Sequence, residues 1–125
     1  MAILNPYQQY QQQSVLTANS GNLTLLLYNG CIKFIGKTRL LIINKDIQGA
    51  HNANVRAQLI IEEFMCTLDM QYDIAKKMMP IYEYLHRRLV EANIKKDIAI
   101  LDEVLGFVTE LRDTWEEVLK ITKSK

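Results

Sequence analysis

From residue 23 onward, apolar residues recur along the chain at intervals of three and four, the spacing that places side chains on one face of an α-helix. The period-two runs of Val, Ile and Thr that are typical of strands are missing. The first helical stretch is expected to begin at an N-cap at Asn19 or Ser20 and to end near Asn44. Its apolar row consists of Leu23, Leu27, Cys31, Phe34 and Leu41.

Asp46 is predicted to cap a second helix, because an aspartate side chain readily accepts a hydrogen bond from the free N–H groups of a first helical turn. Pro80 disfavours helical geometry at the residue before it, so this helix is expected to stop near Lys76 and Lys77. Proline suits the first turn of a helix, and a third helix is therefore expected to run from Pro80 to about Asn93. The two apolar faces comprise Ala50, Ala57, Ile61, Phe64, Leu68 and Tyr72 in the second helix, and Tyr84, Leu85, Leu89 and Ala92 in the third.

Asp97 is predicted to cap a fourth helix in the same way. The apolar row of that helix consists of Leu101, Leu105, Val108, Trp115 and Leu119. Four helices joined by links of only a few residues pack as antiparallel neighbours. The sequence therefore predicts an all-α fold, an antiparallel up-down-up-down four-helix bundle over residues 19–125. A short mobile N-terminal segment, residues 1–18, is expected to precede it.

The N-terminal segment is too polar to build a core, yet it carries two aromatic residues. Tyr7 and Tyr10 are three residues apart and would meet on one side of a helical turn, and Val15 and Leu16 add apolar surface just beyond them. Burial of four such side chains about balances the entropy lost when ten backbone residues become ordered. We expect a mobile cap that covers part of an apolar groove. The alternative is a tail that is packed permanently on the bundle.

The first and fourth helices each carry a second apolar row, so that their apolar arcs exceed the single stripe of an ordinary bundle helix. The extra rows are Leu25, Tyr28, Ile32, Ile35 and Ile42 in the first helix and Ile100, Val104, Phe107, Leu111 and Val118 in the fourth. Either both helices are deeply buried, or one row lines a groove for a helix of another chain. The candidate partner-binding residues are Tyr7, Tyr10, Val15, Leu16, Leu25, Tyr28, Ile32, Ile35, Val104, Phe107 and Leu111.

Composition and charge narrow the classes of partner. The formal net charge is only +1, which gives no electrostatic case for binding a nucleic acid or an anionic membrane. No apolar run approaches the roughly 20 residues that a membrane span needs. Cys31 and Cys66 lie in apolar stretches and are expected to be buried free thiols of a protein in the reducing cytosol.

Candidate catalytic and metal-binding chemistry is sparse. Glu83 and His86 have the Glu-x-x-His spacing of di-iron carboxylate bundles, but such a site needs a second pair and two further glutamates. His51 is the other histidine of the chain, and the residue three before it is Gln48. Neither cysteine has an activating base nearby in sequence, and no glycine-rich phosphate loop occurs. We expect a binding protein without enzymatic activity, metal or other cofactor; a metal-dependent bundle is the enzymatic alternative.

Four stretches of the chain, in order, resemble the flagellar secretion chaperone (FliS) family: NPYQQY, GNLTLLLYNGCIKFI, YEYLHRRLVEANIKKD and VTELRDTWEEV. The resemblance spans nearly the whole chain. The chain departs from the family where a Ser/Thr-Pro-Gly-Glu-Leu start of the first helix is usual, since it has Asn19 to Leu23 in the order NSGNL.

The resemblance implies a cytosolic export chaperone that binds the disordered C-terminal segment of flagellin in apolar grooves. Such a chaperone prevents premature polymerisation and hands its client to a component of the flagellar export apparatus, with no nucleic acid and no membrane insertion. In that family the N-terminal tyrosine motif is linked to client binding. A helical adaptor for another secreted client is the alternative function, and monomer and homodimer are both open.

Overall fold

A computed structural model of the chain describes residues 18–123, which form four α-helices. The helices are α1 (Ala18–Ile43), α2 (Ile47–Thr67), α3 (Asp73–Lys95) and α4 (Ile98–Lys123). No strand occurs within the part of the chain that the structure describes. The predicted all-α fold is therefore confirmed. Tyr7, Tyr10, Val15 and Leu16 lie outside the described residues.

The helices pack in a ring. α1 contacts α2 and α4, and α3 contacts the same two helices from the opposite corner. The links are short, with three residues between α1 and α2, five between α2 and α3, and two between α3 and α4. Consecutive helices joined in this way run antiparallel. The arrangement is the up-down-up-down bundle that the periodicity predicts.

Two of the predicted helix caps are confirmed. The Asp46 carboxylate accepts a hydrogen bond of 2.9 Å from the backbone N–H of Gly49 at the start of α2. The Asp97 carboxylate accepts one of 2.9 Å from the N–H of Ala99 at the start of α4. α1 is already helical at Ala18, so the N-cap predicted at Asn19 or Ser20 was wrong.

The predicted boundary between the second and third helices was also wrong. α2 ends at Thr67, and Pro80 lies inside α3 and does not start it. The chain leaves the helical conformation at Leu68, which has an extended ψ of 132°. The Asp69 carboxylate then accepts a 3.0 Å hydrogen bond from the N–H of Gln71, an aspartate turn that competes with helix continuation. Local turn chemistry at Asp69 therefore sets the boundary, and the bundle tolerates the proline.

One contiguous apolar core runs through the bundle. The fully or almost fully buried members are Tyr28, Cys31, Ile35, Ala57, Ile61, Phe64, Tyr82, Leu85, Leu89, Ala92, Ile100, Leu101, Val104 and Val108. Both cysteines are free, as predicted, but only Cys31 is buried and Cys66 is exposed. Burial raises the pKa of the Cys31 thiol to about 12, so this group stays protonated and unreactive at neutral pH.

Asp97 offers a test of the capping contribution. Replacement by Ala leaves the first N–H groups of α4 without their side-chain acceptor, and we expect the free energy of unfolding to fall by about 0.5–2 kcal/mol. Asp97→Asn is the matched control, because asparagine caps helices about as well as aspartate. Denaturant unfolding followed by circular dichroism measures both variants. Equal stability of the Ala and Asn variants would contradict the assigned role.

Candidate functional site

An apolar cavity of about 470 Å³ opens at the end of the bundle where α1 and α3 begin and α2 and α4 end. All four helices and the α2–α3 link contribute to its walls. A cavity of about 150 Å³ already accepts a benzene ring, so this one has room for several apolar side chains. Within the part of the chain described, the cavity combines the concave shape and apolar lining that are typical of binding sites.

Three aromatic rings from three helices line the cavity on the side of the core. The ring centroid of Phe64, in the last turn of α2, lies 4.6 Å from that of Tyr28 on α1. It lies 5.3 Å from that of Tyr82 on α3, in a stacked arrangement. The hydroxyl oxygens of the two tyrosines are 2.7 Å apart and share a hydrogen bond. The cluster is therefore an aromatic wall whose one polar feature is this pair of hydroxyls.

The rim of the cavity exposes large apolar side chains. Tyr72, at the end of the α2–α3 link, is 62% exposed, and Ile74, in the first turn of α3, is 66% exposed. Trp115 closes the α4 side, and its indole N–H donates a 2.9 Å hydrogen bond to the carbonyl of Gly21 near the start of α1. Solvent-exposed apolar groups beside an apolar cavity mark a surface for another molecule.

The electrostatics of the cavity favour a neutral occupant. Asp69 is the one charged residue among those described that line it, and no described lysine, arginine or histidine does so. Burial raises the pKa of the Tyr28 hydroxyl. Burial also raises the pKa of the Tyr82 hydroxyl, and the neighbouring Tyr28 hydroxyl raises it further. Both hydroxyls are therefore neutral at physiological pH. A charged ligand group would be desolvated here without a counter-charge.

Of the predicted partner-binding residues, the structure brings Tyr28 and Leu111 together in the cavity wall. Leu25, Ile32 and Phe107 are half-buried. Ile35 and Val104 are completely buried in the core, so these two positions present no open surface, and for them the structure favours the alternative of deeply buried helices.

The sequence analysis did not assign Tyr82, Ile74 or Trp115 to a site, although all three line the cavity. The misplaced end of the second helix explains the omission. A helix running to Lys77 would have filled the end of the bundle, whereas the observed break after Thr67 leaves it open. The local signal was available in Asp69, because aspartate side chains favour turns.

The structure also bears on the alternatives of metal binding and membrane insertion. His86 Nε2 lies 2.8 Å from Glu62 Oε2, in a contact between α3 and α2. Across residues 18–123 no group of three or more His, Cys, Asp or Glu side chains is arranged to hold a metal ion. No helix in that range is both long and apolar enough to cross a membrane.

Comparisons with known proteins point in one direction. The family model described as flagellar protein FliS matches residues 3–122. The chain is 47% identical over 120 residues to the flagellar secretion chaperone FliS of Bacillus subtilis, covering 96% of this chain and 90% of that protein. It is 30% identical over 124 residues to the flagellar secretion chaperone FliSB of Pseudomonas aeruginosa, covering 94% of this chain and 98% of that protein.

The tyrosine pair predicts a specific loss of stability in alkali. The pKa of each buried hydroxyl is raised above the unfolded value of about 10. Each hydroxyl therefore contributes fully to the free energy of unfolding below about pH 10, and this contribution is lost as the pH rises further. In that window each group lowers the free energy of unfolding by up to about 1.4 kcal/mol per pH unit. Denaturant unfolding at a series of alkaline pH values is expected to show a shallower dependence for Tyr28→Phe/Tyr82→Phe than for the unmodified protein. Identical slopes would contradict the burial of these hydroxyls.

Proposed function

The chain belongs to the flagellar secretion chaperone (FliS) family, and on that premise we propose that it binds the C-terminal segment of flagellin in the cytosol. Binding keeps flagellin from polymerising prematurely and assists its delivery to the flagellar export apparatus. The observation that carries the proposal is the open apolar cavity with its exposed apolar rim.

The cavity suits an anchoring role for a client that is disordered before it binds. Ordering such a segment costs several kcal/mol, so the complex must bury on the order of 1,000–3,000 Å². One cavity does not supply that area. We infer that apolar client side chains anchor in the cavity while the rest of the segment follows the bundle. The half-buried residues Leu25, Ile32, Phe107 and Leu111 are the contact positions that we propose along α1 and α4.

Capture of the client requires binding energy alone. Client capture exchanges apolar surface in water for apolar contacts, and this drives association without a chemical step. Hydrolysis of a nucleotide is not needed for capture or for release to a competing partner, because release follows from mass action. Membership of the family implies an export chaperone that acts by binding and not by catalysis.

Ile74→Glu tests the cavity as the client site. The side chain is 66% exposed, so the variant should fold normally, but client binding would bury the new charge beside Asp69 without a counter-charge. We expect the affinity for a peptide covering roughly the last 40 residues of flagellin, a length suited to wrapping the bundle, to fall at least about tenfold. Isothermal titration calorimetry measures it.

Ile94→Glu is the matched control for that experiment. Ile94 is 78% exposed and lies near the C-terminal end of α3, twenty residues from Ile74, or about 30 Å along the helix. We expect this variant to bind the peptide with unchanged affinity. Equal losses in the two variants would exclude the cavity end as the site. Absence of binding by the unmodified protein at micromolar concentration would contradict the proposed function itself.

We propose that residues 1–18 cover part of the cavity when no client is bound. α1 begins at Ala18, and Trp115, which lines the cavity, bonds to Gly21 in the same region. An extended chain covers up to about 3.3–3.6 Å per residue, so Tyr7, eleven residues before Ala18, is within reach of the cavity. Tyr7, Tyr10, Val15 and Leu16 are the residues that we propose to occupy it.

Hydrogen exchange on residues 2–18 tests the covering segment. A displaceable cap should show partial protection of its amides, and that protection should change when flagellin peptide is added, because client and cap compete for the same apolar surface. Firm protection that is unaltered by the peptide would remove the displacement mechanism and indicate a permanently packed segment.

A further inference from the structure

The hydroxyl pair at the cavity has an unused donor. Tyr28 is 5% exposed and Tyr82 is 4% exposed, and both line the cavity. Two neutral hydroxyls carry two hydrogens, and their 2.7 Å contact uses one of them. Within residues 18–123 neither hydroxyl makes another hydrogen bond. Whichever oxygen accepts, one buried O–H hydrogen is left without a protein acceptor in that range.

An unsatisfied buried donor changes what the cavity selects. An apolar occupant without an acceptor would seal the spare hydrogen away from water, which is unfavourable. An occupant with an oxygen at this position would satisfy it. Either tyrosine hydroxyl can donate the spare hydrogen to an occupant, because each is able to donate once the other accepts.

The chemistry of the cavity also restricts the charge of the acceptor. A carboxylate or phosphate would enter an apolar space without a described cation, beside the Asp69 carboxylate. Desolvation and like charge both oppose that. A carbonyl oxygen of an amide or ketone accepts strongly and carries no net charge, so it suits the site.

We propose that the Tyr28–Tyr82 hydroxyl pair is the polar recognition element of this cavity, and that it donates one hydrogen bond to a neutral carbonyl oxygen carried on an apolar group. The source of that oxygen in the cell rests on the proposed function, in which the client supplies it. The last four carbonyls of a client helix have no partner within the helix, and the side-chain amides of Asn and Gln carry the same group.

Three small probes test the donor without the client. Acetophenone carries a carbonyl on an aromatic ring, α-methylstyrene replaces that oxygen by a CH₂ group of similar shape, and benzoate carries an anion. Nuclear magnetic resonance titration of the indole signal of the single tryptophan gives the dissociation constants, because Trp115 lines the cavity. The unmodified protein and Tyr28→Phe/Tyr82→Phe are compared.

For each protein the affinity for acetophenone is divided by the affinity for α-methylstyrene. The two probes differ in hydration, but this difference is the same for both proteins and cancels when their ratios are compared. One hydrogen bond predicts that the ratio is about three- to tenfold higher for the unmodified protein than for the double variant. Benzoate should bind more weakly than acetophenone to both. If the double variant fails to fold, the C=O stretching frequency of acetophenone bound to the unmodified protein is measured instead, because each single Tyr→Phe variant keeps one hydroxyl hydrogen that can still donate. A hydrogen bond lowers this frequency relative to acetophenone in an apolar solvent, and an unshifted frequency would overturn the proposal.

Tyr84→Phe is the matched control. Its hydroxyl donates to Glu103 on the outer surface between α3 and α4 and does not line the cavity, so the ratio should equal that of the unmodified protein. An unchanged ratio in the double variant, tighter binding of benzoate, or failure of acetophenone and α-methylstyrene to bind at their solubility limits would each overturn the proposal.

A peptide arm distinguishes the two sources of the carbonyl. Flagellin peptides in which each Asn or Gln is replaced by Leu or Met are titrated into the unmodified protein and the double variant. If the two proteins bind one of these peptides with equal affinity, the side-chain amide replaced in that peptide supplies the carbonyl. If the unmodified protein binds every one of them more tightly than the double variant does, a main-chain carbonyl supplies it. If the probes respond as expected while the flagellin peptide does not bind, the proposed function fails and the recognition element stands.

Discussion

Unequal helix lengths, imposed by the break between α2 and α3, determine where this bundle is open. α1 and α4 contain 26 residues each, whereas α2 contains 21 and α3 contains 23. The links of three and two residues at the opposite end hold the four helices nearly level there. The difference of five residues between α1 and α2, about 7.5 Å at 1.5 Å per residue, therefore appears at the end where α2 stops. The ends of α1 and α4 thus extend beyond those of their shorter neighbours, α2 and α3 respectively.

The exposed ends of α1 and α4 account for both the size and the character of the cavity. Leu111, Trp115 and Val118 follow one face of α4 and all line the cavity. Their surface is apolar because the helix continues its core pattern. The wall toward the core is aromatic, since Phe64 packs against the rings of both Tyr28 and Tyr82. A buried core and an open apolar surface thus share the same helices.

The sequence predicted the number of helices, the caps at Asp46 and Asp97 and most of the core, because each depends on local chemistry or on the period of one helix. The lining of the cavity was harder to predict. Tyr28 and Leu111 were recognised as candidates, whereas Tyr82 was not, since a tyrosine at a core position gives no signal of its neighbours. Val104 and Ile35 looked like groove residues because a wide apolar arc does not reveal which part another helix covers. The largest error came from giving Pro80 more weight than the turn at Asp69.

The proposed binding of the client at the cavity end of the bundle is open to a direct measurement. Cys66, which is exposed in the last turn of α2 next to that end, accepts a nitroxide label, while Cys31 is buried and remains unlabelled. Paramagnetic broadening of the signals of an isotope-labelled flagellin peptide measures its proximity to this label. If the client binds there, the signals of apolar residues of the bound peptide should be strongly broadened. A second label is introduced at the opposite end of the bundle with Cys66→Ser/Ile94→Cys. If the bound peptide is broadened by that label and is unaffected by the label on Cys66, the client does not bind at the cavity end.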